Sequence, residues 1–342
     1  MTIHLKQAFL LTFLAACLNP ALAQYGTPGG RGYATDNFEG FEEIDRDDIP
    51  QKDKSWWYRL SEDSPEEQLQ YCRRLENQGR LNSARKGYEA LVREWPATIE
   101  AAQAQLNLAH VLEKMKKYEK AFDEYQYALV HYSGNCPYDE IIERQFKIAN
   151  LLLHDNRSMF GWLLSGTADI RERFEQIVRN APRSPVAPEA MLKTGRIRED
   201  DDNLREAIKV YDGILNRYPE SSQAATAAWL SARCRYNLSV RHNYNENRCR
   251  EAIAFLDAAI KRLPNHPKKA DLEKWKNELT DLLTEQNYQQ ALFYDTERYS
   301  KRTKINAYRR FLDEFPESGY AQAVRERLAQ LEKQQPIKKG KQ

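Results

Sequence analysis

Long apolar runs are scarce in these 342 residues. The run from Ala8 to Ala16 is far short of the ~20 apolar residues a spanning helix needs, and no later segment comes closer. A charge of one sign is missing too: 52 basic residues stand against 50 acidic ones, which leaves a nucleic-acid partner unsupported. Cysteine is sparse, at 5 residues with no CxxC pair. The six histidines, at 4, 110, 131, 154, 242 and 266, never recur at i, i+4 and never neighbour a cysteine, so no metal is expected. Also lacking are a phosphate-binding glycine loop, a nucleophile elbow and an HExxH helix. Scattered Asp and Glu are explained as solvated helix faces. The expectation is a protein that is not an enzyme and needs no cofactor.

What is present begins with a leader. Lys6 supplies a thin positive start, residues 8–16 an apolar core, and Asn19-Pro20 a break before Ala21-Leu22-Ala23, a small-x-small peptidase site. Leu14-Ala15-Ala16-Cys17 also has the form of a bacterial lipobox, in which Cys17 would become the acylated first residue. Residues 1–23 are thus a signal peptide, or residues 1–16 if the chain is a lipoprotein. Both readings place the mature chain on the periplasmic side of the bacterial envelope, soluble or as an outer-membrane lipoprotein.

From Ser64 the chain shows apolar residues at helical period, interrupted by proline in phrases of one shape: ARKGYEALVREWP, AIKVYDGILNRYP, AIAFLDAAIKRLP and INAYRRFLDEFP. With closing positions Pro96, Ser133, Pro182, Pro219, Pro264 and Pro316, the spacings are 37, 49, 37, 45 and 52 residues. Twelve positions before the closing residue stand Ala84, Ala121, Ala207 and Ala252, and four residues later Tyr88, Tyr125 and Tyr211. A small residue lets two helices approach, an aromatic fills the gap to the next hairpin, and proline ends the helix. Ser133 in place of proline, and Ile170 and Lys304 in place of the small residue, depart from the pattern.

These phrases resemble the second helices of tetratricopeptide repeats, whose period is ~34 residues; Gly195 falls where that family has its glycine. The resemblance implies an all-α fold, a superhelical solenoid of five to six helical hairpins over residues 61–334 with a C-terminal capping helix. A concave face lined by first helices would bind proteins or extended peptides. The inward positions of the first two such helices are the candidates for that groove: Arg73, Glu76, Asn77, Gln103, His110, Glu113 and Lys114. Their alternative is an ordinary solvated face.

Four regions fall off the pattern. Residues 24–60 are rich in Gly, Asp and Glu and read as a flexible spacer, ending near an aromatic Trp56-Trp57-Tyr58 that either caps the first hairpin or docks on a partner. The insertion at residues 154–169 carries Phe160, Trp162 and Leu163, which either fold over the solenoid or form a partner-facing patch. Residues 335–342 are a basic tail. Cys234 and Cys249 flank the loop SVRHNYNENR between two helices; an antiparallel hairpin would bring them together, so a disulfide is expected, with two buried free thiols as the alternative.

The units run Pro-x-Ser into the next helix at Pro182, Pro219 and Pro316, and the chain ends YQQALFYDTERYSKRTKINAYRRFLDEFPESGYAQAVRERLAQL. This resembles the BamD (ComL) lipoprotein family of the outer-membrane β-barrel assembly machinery. The resemblance implies a scaffold whose first hairpins receive an extended peptide from an unfolded barrel protein and whose later ones grip the channel subunit. It also implies an acylated Cys17. Alternatives are a Tol-associated factor of the CpoB (YbgF) type, although residues 24–63 show no heptads, or an accessory subunit of an envelope polysaccharide or peptidoglycan enzyme.

Overall fold

The computed structural model describes residues 60–156, 166–241 and 245–333. Cys17 and both leader readings, the spacer with Trp56 and Trp57, the Phe160–Trp162–Leu163 cluster and the basic tail lie outside the described residues. The chain divides into two compact units, residues 1–159 and 160–342. All regular structure among the described residues is helical, and no helix there is long and apolar enough to cross a membrane.

The first unit holds α1 (Pro65–Asn77), α2 (Leu81–Glu94), α3 (Ile99–Lys114), α4 (Tyr118–His131) and α5 (Tyr138–Asn156). Helix α1 starts where Ser64 accepts a hydrogen bond from the Glu67 N–H, with Pro65 at the first helical position. Thr98 caps α3 in the same manner. The turns α1–α2 and α3–α4 each pass through one left-handed residue, Gly79 (φ 73°) and Lys116 (φ 58°), so the chain reverses by the same device in both hairpins. α2 packs on α1 and α3, α4 on α3, and α5 on α4.

The second unit holds α6 (Thr167–Asn180), α7 (Ala187–Asp200), α8 (Leu204–Arg217), α9 (Ser222–Val240), α10 (Glu246–Arg262), α11 (Lys269–Tyr294), α12 (Lys301–Glu314) and α13 (Ala321–Lys333). Its hairpins are α7–α8, α9–α10 and α11–α12, with α6 against α7 and α13 closing on α12. The α7–α8 turn again uses a left-handed residue, Asp202 (φ 59°). The two helices of the third repeat, α5 and α6, fall in different units.

The positions that carried the repeat pattern are core positions. Ala84, Ala121, Ala207 and Ala252 are fully buried or nearly so, as are Tyr88, Tyr125 and Tyr211. Gly195 lies so close under Tyr211 that a Cβ there would stand 2.3 Å from the ring, so only glycine lets α7 meet that tyrosine. Of the departures, Ile170 is buried on α6, whereas Lys304 places its ammonium 3.5 Å from Asp295. At Ser133, where proline is lacking, the chain continues from α4 into a single tight turn, Ser133–Asn135.

Candidate functional site

In three hairpins a carboxylate near the end of the first helix and a tyrosine on the second stand twelve residues apart: Glu76 and Tyr88, Glu113 and Tyr125, Glu199 and Tyr211. In each pair the tyrosine hydroxyl donates to the carboxylate, at 2.9, 2.9 and 3.1 Å. Tyr308 donates likewise to Asp295 at 2.9 Å across thirteen positions. Burial, together with the neighbouring carboxylate, pushes these phenols well above their ordinary pKa, so each stays protonated and donates.

The other side of each carboxylate takes a cation from the helix two places further along the chain. Lys114 of α3 reaches Glu76 at 2.7 Å, and Arg144 of α5 reaches Glu113 at 3.3 Å. In the second unit Arg233 of α9 forks onto Glu199 at 2.7 and 3.0 Å, and Arg327 of α13 onto Asp295 at 2.6 and 3.1 Å. A hydrogen bond from a buried tyrosine to a charged acceptor is worth roughly 1.5–3 kcal/mol. A half-exposed ion pair such as Lys114–Glu76 adds about 0–1 kcal/mol. At Glu76 the tyrosine therefore contributes more to holding the carboxylate than Lys114 does.

In the first unit this ladder borders a cavity of about 390 Å³ lined by His110, Glu113, Lys114, Tyr118, Arg144 and Leu151. Leu151 is 41% exposed there, an apolar floor among charged walls. His110 lies edge-on to Tyr125 and its Nε2 is 3.8 Å from Glu140, too long for a hydrogen bond, so this nitrogen is shut off from solvent without a partner. Burial, with Arg144 second, lowers the imidazole pKa and keeps the ring neutral near neutral pH.

The expected groove residues divide accordingly. His110, Glu113 and Lys114 come together at the cavity; Glu76 joins through Lys114. Arg73 lies one step away, donating to Gln103 at 2.9 Å, and Asn77 is an exposed residue at the end of α1. Arg144, Tyr118 and Leu151 were not foreseen. The twelve-residue Glu–Tyr spacing was readable and would have marked the ladder, but nothing in the sequence singles out Arg144 among its basic neighbours. Among the described residues no group of His, Cys, Asp or Glu is placed to hold a metal ion.

Cys234 and Cys249 are both buried, and the structure has them as free thiols, not as the expected disulfide. Their surroundings give the reason. The Cys234 thiol faces Glu199 of α7, while that of Cys249 meets Ser239. Ser239 lies five residues beyond Cys234 on α9, a rise of about 7.5 Å, so the two thiols sit at different levels of the helix.

Comparison with known proteins places this geometry. Residues 73–140 match the tetratricopeptide repeat family, and residues 190–335 match YfiO, described as an outer membrane lipoprotein. The chain carries tetratricopeptide-type repeats, and its residues 190–335 resemble the YfiO (BamD) family. The YfiO-like segment runs from α7 into the close of α13, and the cavity of the first unit lies in the helices before it. No curated protein matches the chain. Solved structures similar to it include YrrB, a tetratricopeptide protein with an unusual peptide-binding site (15% identity, 60% of this chain and 90% of that one, TM-score 0.31). Others are a tetratricopeptide repeat protein from Parabacteroides merdae (18%, 78% and 98%, 0.31) and PilF of Pseudomonas aeruginosa (14%, 77% and 97%, 0.31). Superpositions this loose carry no information on function.

Proposed function

We propose that this protein is an adaptor of the bacterial envelope, a BamD-like component of outer-membrane β-barrel assembly that works by binding proteins and not by catalysis. The observation that carries this reading is the YfiO match over residues 190–335, joined in the first unit to a cavity whose Lys114 is held only by a half-exposed ion pair. In this reading the cavity beside His110 and Leu151 receives a segment of an extended client peptide. Lys114 and Arg144 lend charge to it and the Tyr125–Glu113 bond keeps the wall rigid. The second unit holds the channel subunit.

A scaffold acting on outer-membrane clients gains from being held at that membrane, and Cys17 would supply the anchor. A single acyl chain binds only marginally, whereas two or more hold firmly. Residues 18–57 would then span from the membrane to α1, the spacer role proposed for residues 24–60. The test joins both halves. Affinity purification from native envelopes is expected to recover a barrel-assembly channel protein, and Cys17→Ala is expected to move the chain into the soluble periplasmic fraction with unchanged helicity. Recovery of a Tol component or a polysaccharide synthase instead would refute the assembly role. An unmodified mature chain beginning at Gln24, read by intact mass, would refute the lipid anchor.

A further inference from the structure

The turn between α10 and α11 gathers Lys261, Arg262, His266, Lys268 and Lys269 within nine residues. Arg262 donates to the Pro219 carbonyl at 3.3 Å and Lys269 lies 3.4 Å from Glu273. Neither Lys261 nor Lys268 has a carboxylate partner among the described residues. The acidic groups nearest along the chain are Asp257, four residues before Lys261 and paired with Lys276 at 2.6 Å, and Asp271 and Glu273 in the first turns of α11, with Glu220 on the adjoining α8–α9 turn. The charge at this corner is therefore in excess and positive.

Two features of the corner are at odds with a purely structural role. First, Lys268 is the residue that opens α11, a 26-residue helix, and its own side chain caps nothing; His266 takes the Lys268 N–H on Nδ1 and the Lys269 N–H on its carbonyl, and the Lys268 carbonyl takes the Asp271 N–H. The positive end of the helix thus carries two lysines against one acidic residue in its first turn, Asp271, an excess of positive charge that helix electrostatics disfavours. Second, the Lys268 ammonium lies 3.9 Å from the ring centroid of Trp229, as a removable cover on it. Trp229 is only 8% exposed, and its Nε1–H is shut off from solvent with no acceptor. A buried donor left unpaired in this way is costly and uncommon. Arg233, the second cation on that indole at 4.6 Å, is already committed to Glu199, so Lys268 is the one available to a ligand. Trp275 of α11, 5.8 Å from Trp229, extends the aromatic surface along the inner row.

We infer that the corner formed by Lys268, Trp229 and the start of α11 is a docking site for an acidic segment of a partner protein, taken up through a side-chain carboxylate. On binding, Lys268 leaves the indole for the carboxylate, and the uncovered Trp229 gains an acceptor and a stacking face. This site lies in the second unit and does not depend on the client cavity of the first.

The full chain is titrated into dye-labelled hexaglutamate and, separately, hexaglutamine, with binding read by fluorescence anisotropy. Hexaglutamate is expected to bind with an affinity that falls as salt rises, and hexaglutamine not to bind. Lys268→Glu should weaken hexaglutamate at least tenfold and Lys268→Arg by less than threefold. Trp229→Phe, which keeps a ring but removes the N–H, should weaken it severalfold with melting temperature unchanged or raised. Lys274→Ala, further along α11, should leave binding as it is. Equal binding of the two peptides, or unchanged binding by Lys268→Glu, overturns the proposal. So does capture of phosphatidylglycerol vesicles without capture of hexaglutamate, which would assign the corner to a lipid surface. Because the probe is a peptide, failure to purify a channel protein from envelopes would not bear on this outcome.

Discussion

Gly87 of α2 faces Cys72 of α1 so closely that a methyl group added there would stand 2.4 Å from Cys72 Sγ, where ordinary contact begins near 3.4 Å. Gly87→Ala must therefore open this contact by about 1 Å at a place where both residues are buried and Gln68 already bridges them, reaching the Gly87 carbonyl at 3.4 Å. Overpacking of this kind costs about 1–3 kcal/mol, and the better helix propensity of alanine returns roughly 1, leaving a net loss of about 0–2 kcal/mol. Cys72→Ala deletes one buried heavy atom and should cost about 1 kcal/mol. Added independently the two would cost about 1–3 kcal/mol. In the double variant, however, the new methyl occupies the space the sulfur left, and both penalties disappear. The doubly substituted chain should then unfold within about 1 kcal/mol of wild type, a coupling of up to about 2 kcal/mol. Urea denaturation followed by circular dichroism gives all four corners of the cycle. Effects that add to within ~0.5 kcal/mol would refute the claim that glycine is present at 87 to admit the Cys72 sulfur.

Three further outcomes are expected. His110 has its pKa lowered in the fold, so the unfolded chain binds its proton first; stability is lost as pH falls from about 6.5 toward the folded value. His110→Gln should flatten that part of the stability–pH curve, and an unchanged curve refutes the assignment. Cys234 and Cys249 should stay unlabelled by iodoacetamide in the native chain, since burial raises both thiols, that of Cys234 to about 12, and both should label in urea without reductant; a Cys234–Cys249 peptide in a non-reducing digest would contradict this. If Trp162 and Leu163 form a partner patch, changing both to Ser should weaken recovery of partners while moving the melting temperature by less than ~2 °C, whereas a large loss would show that they are core.

The helices and their ends were legible because they rest on local chemistry. Ser64 and Thr98 begin helices by accepting from N–H groups three residues on, proline ends the second helix of each complete hairpin but α4, and alanine with tyrosine at fixed offsets gives the hairpin its close approach. The Glu76–Tyr88 and Glu113–Tyr125 bonds belong to this class as well, since a constant spacing of twelve follows from two helices joined by a short turn. What the tertiary structure alone decided is whatever joins one hairpin to the next. The cations that reach Glu76, Glu113, Glu199 and Asp295 stand 38, 31, 34 and 32 residues further on, an interval that no periodic pattern returns. Insertions and turn lengths between repeats shift it, and only packing selects which lysine or arginine arrives. The same reason separates the two thiols: Cys234 and Cys249 flank a hairpin loop in the sequence, yet their levels on α9 are set by how α10 seats against it. The fold of each repeat is a property of about 35 residues read in order; the recognition surface is a property of neighbours that the order does not name.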